Sequence, residues 1–395
     1  MNELLSKKCE ILDVWARVCS QLEPKNWISS VLSAHSKKRD RRAALFWGKA
    51  AGATARVYLR RQIIAEFSSL VISPEEVPRG HSGHWVQGSH PIPDSKSFEA
   101  GSKLLEFFDY LRRADITHLD IFLSGGASSL AWIRSPELSE IELRKKLEKF
   151  YRLGLPISET NRQRAKWCAL KGGGAGQWLR LLSARTRARA FVISDVLPYS
   201  PEVVGSGPFW GQGIVHQVVA DNKKMVDLLS KEFKFKKIKV LGAQSGLGGD
   251  LETWRKVIRR RAQLALINNL KGILIFGGEP TLKLKSSPTS RGGRMTHLAA
   301  ALALDFQVFI KEGRVEILCA ASDGLDGKSN SSGALIRKQN INKLRRSGLA
   351  QSLRAQQTAK VLGRAGALLP TRAASTNVQD VVCVRILAKK ASHPG

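Results

Sequence analysis

The stretch Leu119–Leu130, LDIFLSGGASSL, decides the fold class. Leu119, Ile121, Phe122 and Leu123 make a short apolar run with β-branched and aromatic members, which predicts a strand buried on both faces of a parallel sheet. Ser124-Gly125-Gly126 breaks the run, and Ala127-Ser128-Ser129-Leu130 is helix-prone. A strand that turns on glycine into a helix start leaves backbone N–H groups at the positive end of the helix dipole, a setting for phosphate or carboxylate. Any α/β protein also uses glycine for such turns, so the stretch by itself speaks to architecture before it speaks to a ligand.

The same grammar recurs outward along the chain. Ala43–Trp47 reads as a strand before Gly48-Lys49-Ala50-Ala51-Gly52 and a helix; Ala190–Ile193 is a strand closed by Ser194-Asp195-Val196. Further strands are expected at Ile238–Leu241, at Gly272–Phe276 before Gly277-Gly278-Glu279, and at Val315–Cys319 before Ser322-Asp323-Gly324-Leu325-Asp326-Gly327. Helical spacing predicts helices over 4–22, 99–111, 138–153, 252–270 and 298–304. Prolines and glycines from Pro198 to Pro208 predict an ordered loop. Strands alternating with helices give an α/β class with mainly parallel sheets.

A chain of 395 residues exceeds one typical core, so two domains are expected. The basic stretch Lys231–Lys239 reads as the changeover. Lys+Arg 64 against Asp+Glu 33 gives +31, a balance that attracts polyanions. The basic residues are scattered, at 37–42, 185–189, 234–239, 255–261 and 343–346, which reads as a solvated surface. Five cysteines without C-x-x-C argue against a disulfide framework or zinc ribbon and fit a reducing cytoplasm. The N-terminus has no secretory core, and no run approaches the ~18 apolar residues of a membrane helix.

Several residues carry candidate chemistry. Lys49 sits where a helix dipole disfavours a cation, which suits a shared anion; the plainer reading is a snorkelling surface lysine. His90, in Gly88-Ser89-His90-Pro91-Ile92-Pro93-Asp94, has no Ser/Asp partner at triad spacing and reads as a turn residue. Lys171 precedes three glycines without the order of a P-loop and reads as part of a flexible loop. Gly327-Lys328-Ser329 ends like a P-loop, but Ser322 stands where its first glycine belongs. Asp195, at a strand C-terminus, can hold a metal or accept a proton, and Asp323 is a metal ligand, a general base or plain Asp-Gly turn chemistry.

Taken in order, WGKAAG, GSHPIPD, SGGASSL, the KGG loop, VISDV with a later SGP, FGGEPT, RGGR, ASDGLDG and TNVQD resemble the glycerate 2-kinase family of the MOFRL type, from about Leu45 to Leu387. The resemblance implies two α/β domains around an active-site cleft, a Rossmann-like 1–232 and a MOFRL-type 233–395. It implies transfer of the ATP γ-phosphoryl group to the 2-hydroxyl of glycerate, with Mg²⁺. Lys49 and Arg294 match the family's active-site lysine and arginine, with Asp195 as a further catalytic candidate. Ser124, Gly125, Gly126, Ser128, Gly277, Gly278, Glu279 and Asp323 are implied to bind substrate or phosphate. Metal candidates are Asp195, Asp323 and Asp326. The expected partner is a small molecule, glycerate or a related 2-hydroxy acid, with no specific nucleic acid and no membrane. The chain departs from the family pattern at Leu197-Pro198-Tyr199-Ser200, Met295-Thr296-His297 and Arg372-Ala373-Ala374-Ser375. Two rival readings are a hydroxypyruvate reductase, for which no G-x-G-x-x-G follows any strand, and an inactive relative with a nucleic-acid-binding surface.

Overall fold

The computed structural model describes residues 10–33, 41–61, 68–79, 84–153, 157–196, 199–282 and 292–388. Leu4 and Leu5 of the first expected helix, the 37–40 part of the first basic cluster, Leu197, Pro198, Ser290 and Arg291 lie outside them. The described residues form two compact units. One, inserted in sequence, is Glu23–Asp221 with Ser375–Asn377; the other, flanking it, takes the described parts of Met1–Leu22, Asn222–Ala374 and Val378–Gly395. The units thus divide at 221/222, whereas the sequence suggested a changeover at 232/233. The reason is the helix Asn222–Phe235: it buries Met225, Val226, Leu229 and Phe233 and packs on the sheet that follows it. The helix Glu10–Gln21 joins the same unit by packing on Asn222–Phe235, where Gln21 Nε2 donates to Glu232 Oε1 at 2.8 Å.

The inserted unit holds β1 (Arg42–Trp47), β2 (Ser69–Ser73), β3 (Trp85–Gln87), β4 (His118–Ser124), β5 (Arg187–Ile193) and β6 (Val215–Ala220). They form one sheet in the order β3-β2-β1-β4-β5-β6, with every neighbouring pair parallel. The strands expected around 43, 119 and 190 are three of its four interior members. On one face Phe46, Phe122 and Phe191 stand in register and stack, with centroids 4.9 and 5.2 Å apart. The same face buries Asp120, whose carboxylate meets Arg189 Nε at 2.7 Å and Tyr58 Oη at 3.2 Å. Breaking such a buried pair costs about 3–5 kcal/mol, so it pins the order β1-β4-β5 as firmly as the aromatics do. The other face packs Trp47, Leu104, Phe108, Ile121 and Trp132 into a separate core.

The flanking unit holds β7 (Val240–Leu247), β8 (Gly272–Gly278), β9 (Val315–Ala321), β10 (Gly333–Ile336) and β11 (Asp380–Ile386), ordered β10-β9-β11-β8-β7. The strand expected at Ile238–Leu241 begins two residues later and runs on to Leu247. The unit is α/β, yet only β7 and β8 pair in parallel; β11 runs antiparallel to both β8 and β9, and β10 antiparallel to β9. Val381, Val382, Cys383 and Val384 are fully buried, which is why so late a segment takes a central place. Because β11 is reversed, its first residue, Asp380, lies opposite Gly278 and Ala321, at the edge where β8 and β9 end.

Candidate active site

Each unit gathers part of the sequence-derived constellation. In the inserted unit the order of strands reverses between β1 and β4, and ligands of open α/β sheets bind at such a switch point. The turns after these two strands are laced together: Lys49 N donates to Gly125 O at 2.9 Å, and Ala50 N to Ser124 Oγ at 3.0 Å. These bonds spend the Gly125 carbonyl and the Ser124 hydroxyl of the turn and the first N–H groups after Gly48. The helix after the glycines is moreover the single turn Ala127–Leu130, which carries little dipole. What remains is the Lys49 ammonium, on an exposed residue, with no hydrogen bond or ion pair among the described residues.

The neighbours of that ammonium are set by close approach. A Cβ on Gly126 would lie 2.9 Å from Lys49 Cγ and 3.1 Å from His90 Cδ2, so the lysine stem and the imidazole both pass over this glycine. On Gly125 it would lie 1.9 Å from Asp195 Oδ2, which only glycine permits. Lys49, His90, Gly125, Gly126 and Asp195 are therefore one cluster. Desolvation, helped by the Lys49 and Arg164 charges, holds the His90 imidazole down to about 4, so it is neutral near pH 7. His90, read as a turn residue, is a member of the cluster; its distance in sequence from every other member hid this.

Ser128 has its carbonyl met by two cations, Arg164 Nη2 at 3.0 Å and the Lys171 ammonium. Lys171 is 7 % exposed and lies 4.3 Å from the Trp132 ring centroid. Burial pulls its ammonium down to about 7. The expected flexible loop is therefore a fixed one. Gly172 N and Gly173 N donate to Ser206 O and Gly207 O, tying the KGG and SGP motifs together, and a helix starts at Gly174.

In the flanking unit Arg294 is the first residue of the helix Arg294–Asp305. The helix start is already closed: Asp326 Oδ1 accepts from Met295 N at 3.0 Å and Oδ2 from Thr296 N at 2.7 Å. Arg294 itself reaches two carboxylates. Nε donates to Asp380 Oδ2 at 2.5 Å, and Nη1 lies 2.8 Å from Glu279 Oε1. Glu279, Arg294, Asp323, Asp326 and Lys328 line an open cavity of about 680 Å³. Gly277 and Gly278 do not line it; they are buried in β8, where Gly277 makes room for Asn222, whose Oδ1 would be 2.4 Å from a Cβ there. In the sequence Asp380 is only the end of the TNVQD motif; nothing local marks it as the partner of an arginine 86 residues earlier.

Among the described residues no three His, Cys, Asp or Glu side chains gather as a metal site. Mg²⁺ needs fewer, since it is commonly held by one or two carboxylates and substrate phosphates. Both oxygens of Asp326 are taken by the helix start, whereas Asp323 is half-buried, lines the cavity and spends one oxygen on Leu325 N at 3.2 Å. Asp195, also half-buried, lies beside Gly125.

The sequence matches the domain of unknown function DUF4147 over residues 10–229 and the MOFRL family over residues 272–380. It is 26% identical over 338 residues to a D-glycerate 2-kinase of Thermotoga maritima, covering 75% of this chain and 78% of that one. With a glycerate 2-kinase of Pyrococcus horikoshii it shares 23% over 359 residues, 77% of this chain and 78% of the relative. The fold is similar to the crystal structure of a glycerate kinase from Thermotoga maritima, with a TM-score of 0.83 at 22% identity, over 96% of this chain and 99% of the other.

Proposed function

Since the chain belongs to the family that joins a DUF4147 domain to a MOFRL domain, we propose that it is a glycerate 2-kinase, which moves the γ-phosphoryl group of ATP to the 2-hydroxyl of glycerate or a related 2-hydroxy acid. The observation that carries the reading is the match of both parts of the chain to relatives named as glycerate 2-kinases. The geometry supports it chemically. Phosphoryl transfer needs cations poised where charge develops, and the Lys49 ammonium at the switch point has no protein carboxylate to neutralise it among the described residues. We assign to Lys49 the stabilisation of the transferring group, and to Asp195 the acceptance of the hydroxyl proton. Arg294, whose Nη2 makes no hydrogen bond among the described residues, takes a carboxylate or phosphate oxygen. Mg²⁺ would be held by Asp323 or Asp195 and would neutralise phosphate charge.

A cytoplasmic location belongs to the same proposal; the described cysteines are buried and unpaired, as in a reducing compartment. No helix among the described residues is long and apolar enough to cross a membrane. The basic surface is assigned no specific nucleic-acid role. The deciding measurement incubates purified protein with ATP, Mg²⁺ and a panel of 2-hydroxy acids and follows phosphate esters by ³¹P NMR. A 2-phosphoglycerate signal is expected. Consumption of NADH with hydroxypyruvate and no phosphorylation of any acid would replace the proposal with a reductase.

A further inference from the structure

We propose that Asp380 is the positioning residue for Arg294, holding the guanidinium at Nε–H while Glu279 takes Nη1, so that Nη2 is the nitrogen left for substrate; this rests on the kinase reading above. Asp380 is 1 % exposed and stands in the middle of a sheet, paired with Gly278 on one side and Ala321 on the other. A carboxylate there is expensive, and an apolar residue of similar volume would serve stability as well or better. Its backbone is bolted from two directions. Asn222, fully buried, donates through Nδ2 to Val378 O at 3.0 Å and Asp380 O at 3.2 Å, and Ser322 Oγ accepts from Val378 N at 2.8 Å. A side chain on so fixed a backbone has one use for its charge, the Nε–H of Arg294 at 2.5 Å. Its other oxygen, Oδ1, is buried with no hydrogen-bond partner among the described residues, which a purely structural aspartate would avoid.

Glu279 completes the grip at Nη1 but is exposed and free to exchange its partner for a ligand. Asp380 has no such freedom, so of the two it sets direction. The groups facing Asp380 are Arg294, Glu279 and Asp326, with Cys319 on β9. Burial pushes its carboxyl up to about 8, Arg294 pulls it back, and Glu279 and Asp326 raise it further. The ionised form, the one that grips Nε–H best, therefore gains population as pH rises through that region.

The test is a cycle of Asp380→Asn, Arg294→Ala and the double variant, assayed for glycerate phosphorylation against pH. Asp380→Asn keeps the shape and an acceptor, and is expected to fold, with melting unchanged or raised, while kcat/KM falls about 10²-fold through misplacement of a group that touches substrate. Its pH profile should lose the limb that wild type shows, rising with pH. In the Arg294→Ala background the same change should have no further effect, because Asp380 acts only through Arg294. Wild-type-like turnover in Asp380→Asn, or an equal loss in both backgrounds, overturns the proposal. A second readout is independent of catalysis: the Arg294 Nε–H, followed by ¹⁵N NMR, should exchange slowly in wild type and fast in Asp380→Asn. If wild type phosphorylates no hydroxy acid, the kinase reading fails by itself. That exchange difference would still uphold the grip, and its absence would overturn it.

Discussion

At the ends of β4 and of β8 the sequence uses the same device, a buried apolar strand closing on two glycines, yet the two places carry opposite charge. After β4, backbone and serine groups satisfy one another, and the cations Lys49, Arg164 and Lys171 collect around the turn with Asp195. After β8, carboxylates do the satisfying: Asp326 closes the helix start, and Asp380 and Glu279 close on Arg294. Two glycines thus end a strand and let other groups pack close to it, while the sign of charge around that end is decided by side chains that arrive from elsewhere.

The sharpest way to break the contrast is Lys49→Ala. An ammonium with no protein partner contributes little to stability, so melting should hold within about 0.5 kcal/mol while phosphorylation falls on the order of 10³-fold. Wild-type turnover in that variant would mean the cationic end is ornament. Next comes Arg294→Lys, expected to lose about 10²-fold, nearly as much as Arg294→Ala, since one ammonium cannot replace a planar fork held at Nε and Nη1. Retention of most activity by the lysine variant would show that charge alone suffices there.

Asp326→Ala probes the acidic end for stability. Losing the carboxylate that accepts from Met295 N and Thr296 N should cost about 1–2 kcal/mol in urea unfolding, as for other helix caps. An unchanged midpoint would free Asp326 for a role as ligand. The smallest effect concerns His90. Its imidazole titrates near 4 when folded and near 6.5 when unfolded, so between these values the unfolded chain binds more protons, and stability is lost as pH falls through the window. His90→Asn should flatten that part of the pH-stability curve slightly; an identical slope would show that His90 is not held neutral by its neighbours.

The interior strands β1, β4, β5, β8 and β9 were legible because uninterrupted apolar runs such as Ile121-Phe122-Leu123 and Leu274-Ile275-Phe276 have no other use, whereas β2 and β11, equally interior, were not expected. Edge strands such as Trp85–Gln87 and Val215–Ala220 were not, since two thirds of their residues stay partly exposed and leave no apolar run to read. The reversed direction of β11 is likewise invisible, because a strand buried on both faces has the same pattern either way. Of the site, the residues on glycine turns were found and their partners were missed. His90 and Lys171 in the inserted unit and Asp380 in the flanking one each meet their partners only through tertiary packing, and no local spacing encodes a contact such as that between Arg294 and Asp380.

The central place of β11 also sets an order in time. During synthesis the six strands of the inserted unit have all emerged once Ala220 is out, so its parallel sheet can close early. β8 and β9 are made well before the segment Asp380–Ile386 that lies between them. Until it arrives, each presents an unpaired apolar edge, the kind of surface that chaperones shield and that aggregates when left bare. Ribosome stalling or premature termination ahead of residue 380 therefore yields a chain whose first sheet is finished and whose second is open through its middle. The same residues that complete the grip on Arg294 also bring that vulnerable interval to an end.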